Sequence, residues 1–263
     1  MPYRWLAEHY DTLFGPYRFG LDAAREHVLE PILPRVESAC DLACGTGTTA
    51  VSMAGRGIKM FAVDGSPVMC RLARRKARTA GARIRVIHAD MREFRLPESV
   101  DLITCEFDAL NHVPQKADLA LVAQAVARAL KPGGYFFFDV NNRAGFKRYW
   151  QGSFWSEAPG VVAVMRNGND AKNDKAWSDV EWFIREGTLW RRQQERVEEV
   201  CWSPAEMRGA LREAGFDEIR AWDATPFFRN DPMIRPGFRT FYLAREAFRA
   251  TRKRRAGDSG MSS

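Results

Sequence analysis

A glycine-containing loop near residue 45 has the residue types and spacing to hold a nucleoside ligand. It reads Asp41-Leu42-Ala43-Cys44-Gly45-Thr46-Gly47-Thr48-Thr49-Ala50 and lies between an apolar run and a helical stretch. Gly45 and Gly47 permit a tight turn and let a ligand approach the backbone closely. Because the same G-x-G-x-x-[GA] pattern serves NAD and FAD, the loop alone does not name the ligand.

Three acidic residues near this loop narrow the choice of ligand. Asp64 comes 17 residues after Gly47, where a carboxylate can accept hydrogen bonds from both ribose hydroxyls. The negative charge of Asp41 would repel a pyrophosphate but suits a ligand with an ammonium and a sulfonium. Asp90 can accept from the adenine amine, while Met91 can pack on the ring. Each acid alone is also a common strand-ending or helix-capping residue, but together they favour S-adenosylmethionine over a dinucleotide.

Alternating strands and helices are expected to bring these acids to one edge of a sheet. Short apolar runs with an acidic or turn residue near the end predict five buried parallel strands: Ala39–Cys44, Lys59–Asp64, Ile84–Asp90, Val100–Glu106 and Tyr135–Val140. The helices predicted between them are Thr48–Gly55, Pro67–Ala80 and Lys116–Leu130. Such βαβ alternation places helices on both faces of a parallel sheet, which binds ligands at its carboxyl edge.

The pattern changes at about residue 141, and residues 141–202 are predicted to form an inserted β-rich cap. Alternating aromatic and charged residues, with turn signals at 167–170 and at Glu186-Gly187, are typical of antiparallel strands. The later predicted elements are strands Ser178–Arg185 and Thr188–Cys201, a helix Pro204–Ala214, and closing strands Glu218–Trp222 and Thr240–Ala244.

The successive motifs resemble those of class I S-adenosylmethionine-dependent methyltransferases, in the order and spacing of that family. The motifs concerned are Asp41–Gly47, Asp64-Gly65-Ser66, His88-Ala89-Asp90-Met91, Asp101–Asn111, Leu130–Gly134 and Glu213-Ala214-Gly215-Phe216. The resemblance implies an α/β fold with a Rossmann-like, seven-stranded, mostly parallel sheet, an antiparallel C-terminal hairpin and the inserted cap. It also implies methyl transfer from S-adenosylmethionine.

The same resemblance implies roles for individual residues in binding the cofactor. Asp41, Gly45 and Gly47 would contact the methionine part of the cofactor, and Asp64 would bind the ribose, with Ser66 and Met69 nearby. Asp90 and Met91 would contact the adenine, and Glu106 and Phe107 would lie beside the sulfonium. A Tyr-Asp element like Tyr10-Asp11 often folds over the cofactor in this family, which makes Tyr10 a candidate lid residue. The alternative is an ordinary aromatic residue on a helix face.

Two candidates for acting on the methyl acceptor follow the fourth strand. His112 can take a proton near neutral pH, which is needed if the acceptor arrives protonated, or it can be a hydrogen-bonded histidine at a helix start. Asp108 can contact an amine acceptor or serve as a turn or cap residue. Aromatic residues of the cap can wall an acceptor site or fill the core of the inserted sheet. They are Phe146, Tyr149, Trp150, Phe154, Trp155, Trp177, Trp182, Phe183 and Trp190.

Composition and charge argue against several other classes of protein. The 263 residues, 46% hydrophobic and 28% charged, suit one globular domain, assigned to residues 1–250. The absence of a long apolar run or a signal peptide predicts a cytoplasmic protein without a membrane partner. Five cysteines without a CxxC pair indicate neither disulfides nor a metal. Much of the formal charge of +7 lies near the C-terminus, where residues 251–263 are predicted to form a basic flexible tail, so the balanced remainder argues against nucleic acid.

The leading hypothesis is methyl transfer to a nitrogen or oxygen atom of a small-molecule acceptor, with an amine among the acceptors that would fit. One alternative is an RNA or protein acceptor, and another is a non-catalytic protein that binds the cofactor. Asp41 and Asp90 argue against a third, a dinucleotide-dependent oxidoreductase. The sequence leaves the attacked atom and the oligomeric state open.

Overall fold

The computed structural model describes residues 6–228 and 236–247, and the basic tail predicted at 251–263 lies outside them. The strands are β1 (Ser38–Leu42), β2 (Lys59–Asp64), β3 (Ile84–His88), β4 (Val100–Cys105), β5 (Leu130–Asn141), β6 (Gly152–Ala158), β7 (Val161–Asp170), β8 (Lys175–Glu186), β9 (Leu189–Val200), β10 (Phe216–Asp223) and β11 (Arg239–Glu246). The helices are α1 (Leu6–Phe14), α2 (Arg18–Leu29), α3 (Thr48–Ala54), α4 (Pro67–Thr79), α5 (Lys116–Ala129), α6 (Arg143–Tyr149) and α7 (Pro204–Ala214).

Seven strands form the main sheet in the order β3-β2-β1-β4-β5-β11-β10. The first five are parallel, while β11 runs antiparallel between β5 and β10. This confirms the predicted seven-stranded, mostly parallel sheet with an antiparallel C-terminal hairpin. Because β1 is the middle one of the five parallel strands and all five of its residues are buried, the glycine loop that follows it lies at the middle of the parallel part of the sheet.

Apolar helix faces cover both sides of the main sheet. Helices α5 and α7 pack on one side through buried residues such as Val122 and Leu211. Helices α2 and α3 pack on the other through Leu21 and Met53. Helix α7 begins after a capping box in which Ser203 and Glu206 bond each other's backbone N–H groups, and Gly215 follows its last residue as the C-cap. Its bounds are those predicted from the sequence. Among the described residues, no helix combines the length and the apolar character that crossing a membrane requires.

The predicted start of the fifth strand was wrong by five residues. We expected a helix to Leu130 and a strand from Tyr135, but β5 begins at Leu130, directly after α5. Between Leu130 and Tyr135 the register against β4 shifts, which leaves Gly133 with a φ of +78° in an irregular segment of the strand. The Pro-Gly-Gly signal therefore marks a bulge within the strand and not a loop before it.

The inserted cap is a four-stranded antiparallel sheet in the order β6-β7-β8-β9. The turn predicted at 167–170 is wrong, since β7 continues to Asp170. The amide groups of Asn167 and Asn169 donate to the carbonyls of Tyr149 and Trp150, at 3.1 and 2.9 Å, and so tie this strand to the end of α6. Gly168 is required by packing, because a Cβ there would collide with the Trp177 ring. The turn signal at Glu186-Gly187 is confirmed between β8 and β9.

Candidate functional site

A cavity of about 720 Å³ lies at the carboxyl edge of the main sheet, with the glycine loop on one side and the cap on the other. This is the size of a site for a small organic ligand. Of the predicted site residues, the cavity wall includes Tyr10, Asp41, Gly45, Asp64, Ser66, Met69, Asp90, Met91, Glu106, Phe107, Asp108 and His112. Gly47 does not line the cavity. It is the N-cap residue of α3, has a φ of +82° and packs closely against Ala73.

Asp64 ties the glycine loop to the end of β2. Its carboxylate accepts from the backbone N–H of Gly45 at 2.8 Å and from that of Ser66 at 2.7 Å. Burial raises the pKa of Asp64, although these two N–H groups oppose the change. The carboxylate thus fixes the loop and lies at the cavity wall, in the position predicted for the ribose contact.

Asp41 is buried beneath the glycine loop. It accepts from the Thr104 hydroxyl at 3.1 Å and from the backbone N–H of Ala50 at 3.2 Å. Burial and the nearby charge of Glu106 raise the pKa of Asp41 to about 7. Since a cation in the cavity would favour the ionised carboxylate, this environment fits the positively charged end of the predicted cofactor.

The predicted adenine contacts lie at a more exposed part of the wall. The carboxylate of Asp90 accepts from the Arg92 guanidinium at 2.6 Å, and hydrogen bonds from Arg92 lower the pKa of Asp90. Ser66 caps α4, since its hydroxyl accepts from the backbone N–H of Met69. The two methionines at positions 69 and 91 supply the apolar surface between these polar groups.

Two arginines of α2 complete this half of the site, and the sequence predictions missed both. Arg25 is buried and pairs with Glu106 at 2.8 Å, while the Thr49 hydroxyl donates to the same carboxylate at 2.6 Å. Glu106 is therefore held in an ion pair beside the cavity. Arg18 donates to Thr49 at 2.7 Å and lines the cavity. The two arginines are seven residues apart, about two helical turns, and therefore lie on the same face of α2. This spacing was the signal in the sequence that could have identified them.

Arg18 also fits the carboxylate of the methionine part of the cofactor. Its Nε is buried and has no hydrogen-bond partner among the residues that the structure describes. The guanidinium already pairs with Asp22 at 3.3 Å, so Nε is the donor that remains. The carboxylate of a ligand beside the glycine loop would accept from Nε and remove the cost of a buried unpaired donor.

The other half of the cavity begins with a strained turn after β4. Phe107 and Asp108 both have left-handed backbone angles, with φ of +63° and +53°, which are uncommon for residues other than glycine. Their N–H groups donate to the Asp139 carboxylate at 2.7 and 3.0 Å. Arg239 of β11 pairs with the Asp139 carboxylate and with that of Asp108, the latter at 2.9 Å. This network holds Asp108 at the cavity wall.

Asp108 shares a hydrogen bond with a second buried acid, Glu199 of β9. The Asn141 amide donates to both carboxyl groups, at 3.1 and 3.0 Å. Burial and the charge of Asp108 raise the pKa of Glu199 well above its usual value. Burial acts in the same sense on Asp108, but Arg239 and the bond from Glu199 outweigh it and hold the pKa of Asp108 below its usual value. Glu199 therefore carries the shared proton.

His112 lies next to this acidic pair. Its Nδ1 is 3.1 Å from the carbonyl oxygen of Glu198, which requires a proton on Nδ1 and makes Nε2 the basic nitrogen. Nε2 is 4.0 Å from Glu199. Burial lowers the pKa of His112, although the charge of Asp108 opposes the change, so the ring is neutral at pH 7. Ligand atoms of Asp108, His112 and Glu199 lie within 4.8 Å of one another, and the absence of a metal stays a prediction.

Some aromatic residues of the cap line the cavity as predicted, whereas others are exposed and have neither of the two roles that we considered. Tyr149, Trp150, Phe154 and Trp182 line the cavity, whereas the large exposed side chains of Trp155 and Trp190 lie at the surface. On the opposite side, α1 brings Tyr10 to the cavity, with its ring 5.9 Å from that of Phe107. This position is compatible with the lid role of Tyr10, which stays a prediction.

Comparisons with known proteins agree with this site. Residues 39–134 match a family model described as a methyltransferase domain. A solved S-adenosylmethionine-dependent methyltransferase from Clostridium acetobutylicum is 25% identical, with a TM-score of 0.77 over 93% of this chain and 99% of that one. YqeM of Bacillus subtilis, a protein classed with the methyltransferases, is 26% identical over 220 residues, 82% of this chain and 87% of its own.

The fold also matches the sugar N-methyltransferase KedS8 from Streptoalloteichus, with a TM-score of 0.70 over 87% of each chain and 23% identity. The sheet order, the acids around the glycine loop and these similarities have one common explanation. Residues 39–134 form a methyltransferase domain, the protein is an S-adenosylmethionine-dependent methyltransferase, and S-adenosylmethionine is its cofactor.

Proposed function

We propose that the protein methylates a small-molecule acceptor and that the acceptor atom is the nitrogen of an amine. The observation that carries this proposal is the buried pair of Asp108 and Glu199, with neutral His112 beside it, in the half of the cavity away from the glycine loop. Buried carboxyl groups that face a cavity suit a cationic ligand, because an unpaired buried charge is costly. An oxygen acceptor is the alternative.

When bound, S-adenosylmethionine supplies a methyl group that its sulfonium has already activated. The protein's task is therefore to align the acceptor with that methyl group and to exclude water. On the cofactor side, Arg18 pairs with the carboxylate, Asp41 favours the positive charge and Asp64 binds the ribose hydroxyls. Glu106 fixes the position of Arg25 through their ion pair.

On the acceptor side, an amine arrives mainly as an ammonium ion at neutral pH and must lose a proton before it can attack. Asp108, which Arg239 keeps ionised, attracts the cation, while Glu199 keeps the shared proton. His112 is neutral and accepts a proton from the ammonium at Nε2. The aromatic wall of the cap, with Tyr10 opposite, keeps water away from the resulting lone pair.

Two further observations support a small acceptor over a macromolecular one. The acidic pair is largely enclosed, with Glu199 buried and the Asp108 side chain 14% exposed, and the surrounding wall consists mainly of apolar cap residues, which do not suit a phosphate backbone. KedS8, whose fold is similar, is a methyltransferase that acts on a sugar nitrogen. We further propose that residues 1–250 act as one domain, in which the cap at about 141–202 supplies the acceptor side.

The test begins with calorimetric titration of S-adenosylhomocysteine, with NAD as the control, followed by assays of methyl transfer to cyclohexylamine, benzylamine, cyclohexanol and phenol. We expect turnover of amines and an unchanged rate after treatment with EDTA. Turnover of the alcohols alone would reject the nitrogen acceptor. Loss of activity with EDTA and recovery with Mg²⁺ would instead favour a metal at Asp108, His112 and Glu199. Cofactor binding without turnover of any acceptor would favour a non-catalytic role.

A further inference from the structure

We propose that the cap contains a second recognition site, which binds a hydroxyl group of the acceptor through Asn167 and Ser178. These two residues are cross-strand partners on β7 and β8, and both side chains line the cavity. The inference rests on the proposed amine acceptor and adds a chemical requirement to it. The acceptor would be a small amine that also carries a hydroxyl group, an amino alcohol.

Unpaired polar atoms are the first observation behind this site. Ser178 is 7% exposed, and neither its Oγ nor the Oδ1 of Asn167 has a hydrogen-bond partner among the described residues. Leaving a buried polar atom unpaired costs about 1–3 kcal/mol, so such atoms in native proteins are normally completed by a ligand or an ordered water. Both atoms belong to residues of the cavity wall, and a rotation of either side chain would turn its unpaired atom toward a ligand.

The chemistry of the two side chains selects a hydroxyl group. The Asn167 amide nitrogen donates to the Tyr149 carbonyl at 3.1 Å, which leaves Oδ1, an acceptor, for the ligand. The Ser178 hydroxyl can donate. A ligand hydroxyl can donate to Oδ1 and accept from Ser178 at the same time. An ammonium group fits less well, because neither side chain supplies the negative charge that a buried cation requires.

The position of this site relative to the acidic pair sets the size of the acceptor. Ser178 lies directly opposite Val197 of β9, and Glu199 is two residues further along the same face. Such diagonal neighbours in a sheet are about 7–8 Å apart. One six-membered ring, with an amine on one side and a hydroxyl on the other, spans that distance. Val180 and Trp182 offer an apolar surface to the ring.

The first experiment needs no acceptor. If the Ser178 hydroxyl has no protein partner, Ser178→Ala leaves the melting temperature of the protein without acceptor unchanged or raises it. The matched control is Ser156→Ala, on the same sheet but outside the cavity wall. A fall of several degrees in Ser178→Ala alone would show that the hydroxyl bonds within the protein, and the proposed site would be rejected.

The second experiment compares cyclohexylamine with the isomeric aminocyclohexanols as methyl acceptors. We expect the wild type to prefer the best aminocyclohexanol by about tenfold in kcat/KM, the value of one hydrogen bond. Ser178→Ala should remove this preference, and Ser156→Ala should retain it. A preference that survives Ser178→Ala, or no preference in the wild type, would overturn the inference.

A third measurement separates this inference from the proposed function. Binding of 1,4-cyclohexanediol to the protein saturated with S-adenosylhomocysteine is followed by saturation-transfer NMR, which requires no amine and no turnover. Binding that is lost in Ser178→Ala supports the hydroxyl site even if no amine is methylated, a result that would reject only the nitrogen acceptor. Equal binding, or none, in the wild type and Ser178→Ala would reject the hydroxyl site.

Discussion

The two halves of the cavity are built in different ways. The cofactor half consists of short loops at the ends of β1, β2 and β3, where Asp64 bonds Gly45 and Ser66 in a local arrangement of backbone groups. The acceptor half is assembled from side chains far apart in the chain, such as Asp108 and Arg239, which are 131 residues apart. A binding loop is thus a local property of the sequence, while the acceptor site depends on the complete topology.

The two halves also differ in which charges oppose the effect of burial on the pKa values of their acids. In the cofactor half, burial raises the pKa of both Asp41 and Asp64, and an incoming cation would reverse the change. In the acceptor half, Arg239 keeps Asp108 ionised and its neighbour Glu199 takes the proton. The charges of Asp41 and Asp64 therefore respond to the ligand, although Arg25 pairs with Glu106 in the same half, whereas the internal cation Arg239 fixes the charge of Asp108 in the acceptor half.

The largest effect is expected from removing that cation. Arg239→Met leaves the carboxylates of Asp108 and Asp139 buried without their partner, which should lower the free energy of unfolding by about 3–5 kcal/mol. Urea denaturation measures this change. The control is Arg220→Met, which removes an exposed arginine of β10 that pairs with exposed Glu218 and should cost at most about 1 kcal/mol. Equal losses in the two variants would show that the acceptor half does not need its internal cation.

The next largest effect concerns the proton acceptor. His112→Gln should lower kcat for an amine about 100-fold, while affinity for S-adenosylhomocysteine stays the same because His112 lies in the other half. Since burial places the pKa of His112 below 6.5, the wild-type rate should fall as pH decreases below that value. The deficit of the variant should shrink at high pH, where more of the amine is already neutral. A loss that does not change with pH would indicate a structural role.

The contrast between the halves also explains which predictions succeeded. The acids at positions 64 and 90 could be predicted from the sequence because each ends a predicted strand, and Asp41 because it shortly precedes the glycines. Arg18 and Arg25 were missed because a helical arginine gives no local sign that it will be buried against Glu106. The cap was predicted as β-rich, but the pairing of Asn167 with Ser178 required the register of β7 and β8, which depends on packing around Gly168.

A smaller effect is expected at the methionine end of the cofactor. Arg18→Met removes a buried guanidinium and should weaken S-adenosylhomocysteine binding by about 1.5–3 kcal/mol, the value of a hydrogen bond to a charged group. Calorimetry measures the affinity, and adenosine is the control ligand because it lacks the carboxylate. Adenosine should bind the variant and the wild type equally. An equal loss for both ligands would mean that Arg18 maintains the shape of the site and does not pair with the carboxylate.

The smallest effect should come from the exposed rim of the cofactor half, which a matched pair of substitutions can separate from its floor. Asp64→Asn places an amide donor against a backbone N–H and should cost about 1–3 kcal/mol in S-adenosylhomocysteine affinity. Asp90→Asn keeps an acceptor oxygen at a side chain that is 39% exposed and should cost less than about 1 kcal/mol. Equal losses would mean that the adenine contact contributes as much binding free energy as the ribose contact. A larger loss at Asp64 would show that the cofactor half derives its affinity from the groups that fix the glycine loop, because Asp64, unlike Asp90, accepts from the Gly45 N–H of that loop.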